Sequence, residues 1–391
     1  MKTRRAIIGG AGALLLAGLG YRAWDRGVFT GATGAPFAPW DAWRGSEADG
    51  KRRPLRAAIL AANPHDTQPW LFQAEGDTIT VFADRARHLG SFDPFRREMH
   101  MGLGAAIENL VRAAGAFGMA AAVEPVQGHL TLSPGPEPVA AARIALTAAQ
   151  PARDELFEAI PRRHTNRGPY RADQAIAGAR LQQLAALAAG DALRVAFIVD
   201  GGARKEMGAL IVEATQRIIA DAEMSADSFR WIRTGRREIL AHRDGITIDT
   251  SGTPPLLTVA GKLMPDQDAA STDSIWLGMT RDTHVATAPV LGIMLVRDRL
   301  DMAQALAVGR AWQRLHLAAT VQGLAAQPLN QPAECIDRNI VLGRPDTFSV
   351  ALVQFAGADG WQPVFAFRMG VAEKEAARSP RRPLEDVLRS A

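Results

Sequence analysis

The sequence predicts an α+β protein of two like halves fused in one chain, each a mixed sheet flanked by helices. Three observations carry this. Short apolar runs of strand length lie at 78–84 ("TITVFAD"), 193–199, 290–296, 349–355 and 363–369. Between the first two of these, "MGLGAAIENLVRAAGAFGMAA" sets Leu103, Ile107, Leu110 and Ala114 at helical spacing, with Gly118 as a stop. Shifting that helix by 205 positions superposes it on "AVGRAWQRLHLAATVQGLAA". Gly104, Leu110, Ala114 and Gly118 then recur as Gly309, Leu315, Ala319 and Gly323. A repeated unit within one chain predicts an intramolecular pseudo-dimer, with the contact between copies built in.

The elements follow in order. "MKTRRAIIGGAGALLLAGLG" pairs Lys2, Arg4 and Arg5 with an uncharged run from Ala6 to Tyr21. That is the layout of an export signal, and its Thr3-Arg4-Arg5 start is similar to a twin-arginine signal. Residues 1–30 are therefore expected to form a signal or membrane anchor leading into a tether that runs to about Gly50. The localisation that follows is exported, periplasmic or membrane-anchored, or cytoplasmic if the segment is not a signal. The first half is placed at 31–150, with a loop-rich stretch near 129–140. The second is placed at 151–391, with a helix beginning near Asp154. Within it, the polar segment 221–255, which holds Trp231 and several arginines, is a candidate lid.

Composition narrows the function. The 391 residues carry a net charge of +4, with basic residues scattered and only 6% aromatics, which is no nucleic-acid footprint. The lone Cys335 excludes an internal disulfide and argues against a Cys-based zinc site. No Gly-rich phosphate loop, G-x-S-x-G elbow or H-E-x-x-H run occurs, and the eight histidines show no pair at metal-ligand spacing.

Two polar stretches stand out. "ANPHDTQPWLF" (62–72) crowds His, Asp, Thr, Gln and Trp around Pro64 and Pro69, which forbid a helix. "PRRHTNRGPY" (161–170) sets three arginines, a histidine, a threonine and an asparagine between prolines. Guanidinium forks with a hydroxyl beside them are suited to phosphate, and a solvated basic turn is the other reading.

"PHDTQPW" after "RAAILAAN", then the "ENLVRAA" helix, then "RRHTNR", resembles the nitroreductase-like flavoproteins, and among them the double-length Acg-type branch. The resemblance covers roughly residues 50–391, including "GLAAQPLNQPAE" and "SPRRPLEDVL". It implies FMN as cofactor and a nitroreductase-like fold in each half. It implies that Arg163, Thr165 and Arg167, with His164 and Asn166 beside them, hold the phosphate and ribityl chain. Pro64, His65, Thr67 and Gln68 would touch the ring system, with Trp70 as a wall. Ala326, Gln327 and Pro328 would line the flavin near N5, and Arg368 would complete the phosphate site. Asn63 and Asp66 depart from the family's usual serine and asparagine. An ionised Asp66 beside the flavin would lower its potential, an effect that vanishes if it pairs with an arginine. The second half carries no copy of "HDTQPW", so one flavin site per chain is expected.

The implied activity is two-electron transfer through bound flavin to a nitro, quinone or similar small-molecule acceptor. The donor is left open among NAD(P)H, a quinol and a protein. The alternative is a flavin-binding protein without turnover, for storage or sequestering, with its site shut by the lid. Any membrane contact would run through the N-terminal segment alone.

Overall fold

The computed structural model describes residues 17–18, 20–132 and 135–390. The basic start of the expected signal and most of its apolar run therefore lie outside the described residues. Among those described, no helix is long and apolar enough to cross a membrane.

The first sheet holds β1 (Trp70–Glu75), β2 (Thr78–Ala83), β3 (Met119–Pro125) and β4 (Val139–Ala148), in the order β1-β2-β4-β3. β1 and β2 close through Gly76-Asp77, and Gly76 takes a φ of 54°, the left-handed turn geometry that glycine adopts freely. β5 (Leu193–Ile198) opens the second sheet, and a long excursion follows it that contains the paired β6 (Ile232–Arg233) and β7 (Ile246–Thr247). The sheet resumes with β8 (Val290–Val296), β9 (Ala325–Pro328) and β10 (Gln362–Gly370), in the order β5-β8-β10-β9. In both sheets the first strand pairs with the second, the second with the fourth and the fourth with the third, all antiparallel. In both, a long helix lies between the second and third strands: Arg97–Ala116 and Met302–Val321. Each of these helices is followed by a left-handed glycine, Gly118 (φ 80°) and Gly323 (φ 72°).

The two helices cross each other at a different pair of recurring glycines, Gly104 and Gly309. A Cβ on Gly104 would lie 2.1 Å from the Leu306 carbonyl oxygen, and one on Gly309 would lie 1.9 Å from that of Met101. Met101 and Leu306 are themselves related by the 205-residue shift, so each glycine meets the other's counterpart. The pairs beside the crossing obey the same rule. Gln313 Nε2 donates to Asn109 Oδ1 at 2.8 Å, and Arg314 Nε donates to Glu108 Oε1 at 2.9 Å. This reciprocity is what a two-fold contact between like units requires.

Three features differ from the sequence reading. The stretch 31–50 is not a tether: Phe37, Trp40 and Trp43 are buried in the first core with Leu55, Phe72 and Phe157. Its run of Gly, Pro and Trp turns the chain over the core face, and Trp40 Nε1 donates to the Ser379 carbonyl at 2.8 Å. The apolar run 349–355 is not a strand but most of the helix Thr347–Ala356. Asp346 caps its start by accepting from Ser349 N, and Gly357 (φ 57°) ends it, two signals that outweigh an apolar run of ambiguous period. The excursion around the candidate lid is longer than 221–255. It spans everything between β5 and β8, including the helices Gly201–Ala220, Ala222–Phe229, Arg236–His242, Pro255–Leu263 and Ala269–Met279.

The C-terminal stretch returns to the first half. Leu384 and Val387 enter its core, and Leu388 makes one parallel bridge with Phe72, so the first sheet is mixed in that contact.

Candidate cofactor site

The motif loop 62–68 is bent by three successive devices. Asn63 braces it, its Oδ1 accepting from Gln68 N at 2.7 Å and its Nδ2 donating to the Asp66 carboxylate at 3.2 Å. His65, Asp66 and Gln68 all take left-handed φ angles, 48°, 54° and 50°. Non-glycine residues in that region cost on the order of 1 kcal/mol each and persist where surrounding contacts hold them. The third device is the crossing helix: Gln313 Oε1 accepts from Ala62 N at 3.2 Å, fixing where the loop begins.

The loop opens onto a cavity of about 650 Å³, the size range of cofactor pockets. Asn63, Pro64 and His65 line it from the first half, with Met101 and Gly102 from the first long helix. Thr165 and Arg167 enter from the arginine-rich segment. Val308, Trp312, Gln327 and Pro328 come from the second half. Its roof is the excursion, with Phe229, Ile232, Ile246 and Trp276. A small annex of about 40 Å³ shares Asn63, Thr165 and Arg167 with the cavity and adds Asp66, Arg163, His164, Ser379 and Arg381.

The annex is short of negative charge. Arg163, Arg167 and Arg381 face one carboxylate there, Asp66, which is paired with Arg381. Arg163 is 2% exposed. One of its nitrogens donates to the Leu60 carbonyl at 3.1 Å, while Nε and Nη1 have no partner among the described residues. Burial, then the neighbouring Arg381, pulls its pKa down to about 9. Two buried donors of a guanidinium left open is a costly arrangement that an anionic group would relieve.

Burial keeps His65 neutral by pulling its pKa down to about 3, with Arg167 adding to the effect, and its Nε2 contacts Ser228 Oγ at 3.0 Å. His164 is lowered to about 3 by burial and the nearby arginines, and its ring packs against Trp40. Burial pushes Asp66 up to about 6 against the pull of Arg381.

Other residues singled out from the sequence lie away from the cavity lining. Thr67 and Gln68 are buried behind the loop. Gln68 Nε2 donates to the Arg243 carbonyl at 2.8 Å, and its Oε1 accepts from Arg382 N at 2.7 Å, so it ties roof and C-terminus to the loop. Trp70 lies fully inside the first core rather than forming a wall. Ala326 is buried in β9, its carbonyl accepting from Asn166 N at 3.3 Å, so it positions the arginine segment from behind.

Arg368 does not reach the annex. Its donors are taken by Gln327 Oε1 at 2.7 Å and by the carbonyls of Gly168, Asn166, Thr283 and His284, and its fork lies over the Tyr170 ring. A guanidinium saturated by carbonyls holds a loop together and has little left for a phosphate. The C-terminal arginine in the annex is Arg381, from the quoted "SPRRP". The sequence also passed over His284, which the π-helical turn Thr280–Val285 brings to the cavity. Glu98 and Glu334, at the cavity's inner wall, were passed over as well.

The roof is latched onto the loop. Asp244 is held by both Arg87 and Arg233, the latter at 2.8 Å, and Gly245 N donates to the Asp66 carbonyl at 3.1 Å. Gly252 sits so close to the arginine segment that a Cβ there would lie 2.3 Å from the Arg167 carbonyl carbon. Upstream, Arg22 donates to the Leu263 carbonyl at 2.7 Å and Arg26 to Asp266 at 2.8 Å, strapping the start of the described chain across the roof.

No family model matches the chain. Relatives of similar length nevertheless match it along most of the chain. A provisionally named NAD(P)H nitroreductase of Mycobacterium tuberculosis strain H37Rv, Rv3131, is 27% identical over 360 residues, covering 88% of this chain and 92% of its own. The provisionally named NAD(P)H nitroreductase acg of the same strain is 26% identical over 355 residues, covering 85% and 93%. The resemblance to the Acg-type branch drawn from the motifs thus extends along most of the chain. Among solved structures, the FMN-dependent nitroreductase NfnB from Mycobacterium smegmatis in complex with NADPH aligns at 15% identity and a TM-score of 0.36, over 60% of this chain and 99% of that one. A nitroreductase with bound FMN from Desulfitobacterium hafniense aligns at 15% and 0.36, over 60% and 97%.

Proposed function

We propose that the chain binds one FMN, with its phosphate in the annex and its ring system in the cavity, and works as a nitroreductase-type oxidoreductase. The observation that carries this is Arg163, buried with two donors open beside a cluster of arginines that holds a single, already paired carboxylate. Thr165 and Arg167 border both spaces and would hold the chain that joins phosphate to ring. Pro64, His65, Gln327 and Pro328 would pack on the rings. When bound, FMN supplies two-electron chemistry at its ring; the protein orients it, excludes water and admits flat, apolar acceptors such as nitroaromatics or quinones. The names of the relatives support a nicotinamide donor. The repeated strand order and reciprocal helix crossing support a gene duplication as the origin of the two halves.

The latch at Asp244 favours a second reading, a closed flavin carrier that turns over slowly or not at all. One experiment separates the two. The full chain purified without added cofactor is expected to show flavin absorbance bands, and anaerobic NADPH is added. Bleaching within seconds supports the reductase. Bands that only dithionite removes support the carrier. A colourless protein that also refuses FMN would end both readings.

A further inference from the structure

The inner wall of the cavity holds two carboxyl groups that the proposed flavin chemistry does not use. Glu98 and Glu334 line it from different halves of the chain, 7% and 5% exposed. Each shifts the protonation of the other, and two carboxyls that interact while buried in one cavity wall are relieved when one proton is shared between them. Glu334 Oε2 finds no N–H or hydroxyl partner among the described residues.

The neighbours decide which group carries the proton. Ala366 N donates to Asn330 Oδ1 at 3.2 Å and so fixes the amide, whose Nδ2 then donates to Glu98. Arg97 stands 3.7 Å from Glu98, its Nε committed to Asp337 at 2.7 Å. Asp93, on the other side, is turned to the helix start, accepting from Glu98 N and Met99 N, and its charge disfavours a second one nearby. Glu98 is thus the acceptor and charge holder, and Glu334 the acid. Burial, with Arg97 opposing and Asp93 adding, pushes Glu98 above the carboxylate range. Burial and then the charge of Glu98 push Glu334 well above the carboxylate range. A shared proton at neutral pH is what two like charges in one apolar wall require.

We propose that the Glu98–Glu334 pair is the proton donor of this site, serving an acceptor that takes up a proton with its electrons, for which a quinone is the test case. The inference rests on the FMN reading for its source of hydride. A quinone takes up a hydride from the reduced cofactor at one end and the shared proton at a carbonyl oxygen. The carboxyl O–H bond breaks, a phenolic O–H bond forms, the quinone becomes hydroquinone and the cofactor is reoxidised. The pair, left as two carboxylates, regains a proton from water when the product leaves. Gln331 Oε1, buried on the same wall without a partner among the described residues, offers an acceptor to the new hydroxyl.

Two measurements test this. In the full-length protein at neutral pH, with or without flavin, infrared spectra should show a protonated-carboxyl C=O stretch that shifts in heavy water and is lost in E334Q. In the FMN-loaded, reduced protein, oxidation by a benzoquinone is compared with oxidation by ferricyanide, which takes electrons without a proton. The ratio of the two rates should fall about 100-fold or more in E334Q, the usual range for removing a general acid. If E334Q does not fold, E98Q, which keeps an oxygen for Asn330, is measured in the same way. Absence of the carboxyl band overturns the shared proton, and an unchanged ratio overturns the donor role. Failure to bind FMN would sink the cofactor reading instead, while the infrared result still decides whether the proton is there.

Discussion

At the scale of single residues, the annex is built around an arginine that the protein itself leaves unsatisfied. Replacing Arg163 by methionine removes an uncompensated buried charge, so the flavin-free fold should be at least as stable as the parent. FMN affinity should fall about 10- to 100-fold, the worth of one charge-assisted hydrogen bond at ~1.5–3 kcal/mol. Fluorescence titration with FMN, beside a melting curve of the apo-protein, checks both. His65 gives a pH signature. Held neutral with a pKa near 3 in the fold, against 6.5 when exposed, it contributes stability in full above pH 6.5. As pH falls below that, the unfolded chain takes up a proton that the folded one excludes, and the contribution is lost progressively toward pH 3. Melting temperatures of the parent and H65Q should therefore draw together between about pH 7 and about pH 4; curves that stay parallel would show that His65 is not buried neutral. Much of the site was legible at this scale: Pro64, His65, Thr165, Arg167, Gln327 and Pro328 border the cavity where the motifs placed them. Arg368 and Arg381 could not be told apart, because no pattern along a chain reveals which guanidinium is filled by carbonyls. Glu98 and Glu334 were hidden for a related reason. They lie far apart in sequence, and only the packing of the two halves makes them one group.

At the scale of elements, the decisive piece is the roof between β5 and β8. Among the contacts that seat it on the motif loop is one carboxylate, Asp244, 3% exposed and shared by two arginines. D244A takes one carboxylate from both guanidiniums, Arg233 keeping Glu238 at 3.8 Å, a change that should cost about 3 kcal/mol, the lower end for a buried pair. The segment around 243–252 should then exchange its amide hydrogens faster, and bound flavin should bleach faster with NADPH. If exchange rises and bleaching does not, the roof is not what limits access. The sequence marked this region as polar and elaborate yet missed its extent, because the helices after Gly201–Ala220 are short and several of their apolar side chains are exposed, Leu256 at 80% among them. A helix with no apolar face toward a core leaves little periodic signal. The error at Thr347–Ala356 has the opposite cause: seven residues with five apolar side chains satisfy strand and helix templates equally, and the capping pair Asp346 and Gly357 settles the matter.

At the scale of the whole molecule, the most legible feature was the recurring helix, since a stop glycine and an apolar phase recur 205 positions apart and both helices take the same place relative to their sheets. Another recurring pair, Gly104 and Gly309, sets how closely the two helices approach. G104A and G309A each drive a methyl into a backbone carbonyl of the other helix, and neither carbonyl can swing away without breaking its own helix. Each should cost about 3 kcal/mol or more, at the upper end for overpacking, and the two should be similar because their surroundings are reciprocal. Both should also weaken FMN binding, since Met101 and Gly102 on one helix and Val308 and Trp312 on the other face the same cavity. Thermal melts with flavin titrations decide this; unequal effects would mean that the two sides of the crossing are not equivalent.

That crossing has one more consequence. A site shared between separate subunits comes apart on dilution, because holding its two walls together is a bimolecular equilibrium. Here the walls are joined by the peptide chain, so each copy of the protein carries both walls of the cavity however scarce it is in the cell. Its melting temperature should be the same at nanomolar as at micromolar protein, and a cell that makes only a handful of copies would still hold that many assembled cavities.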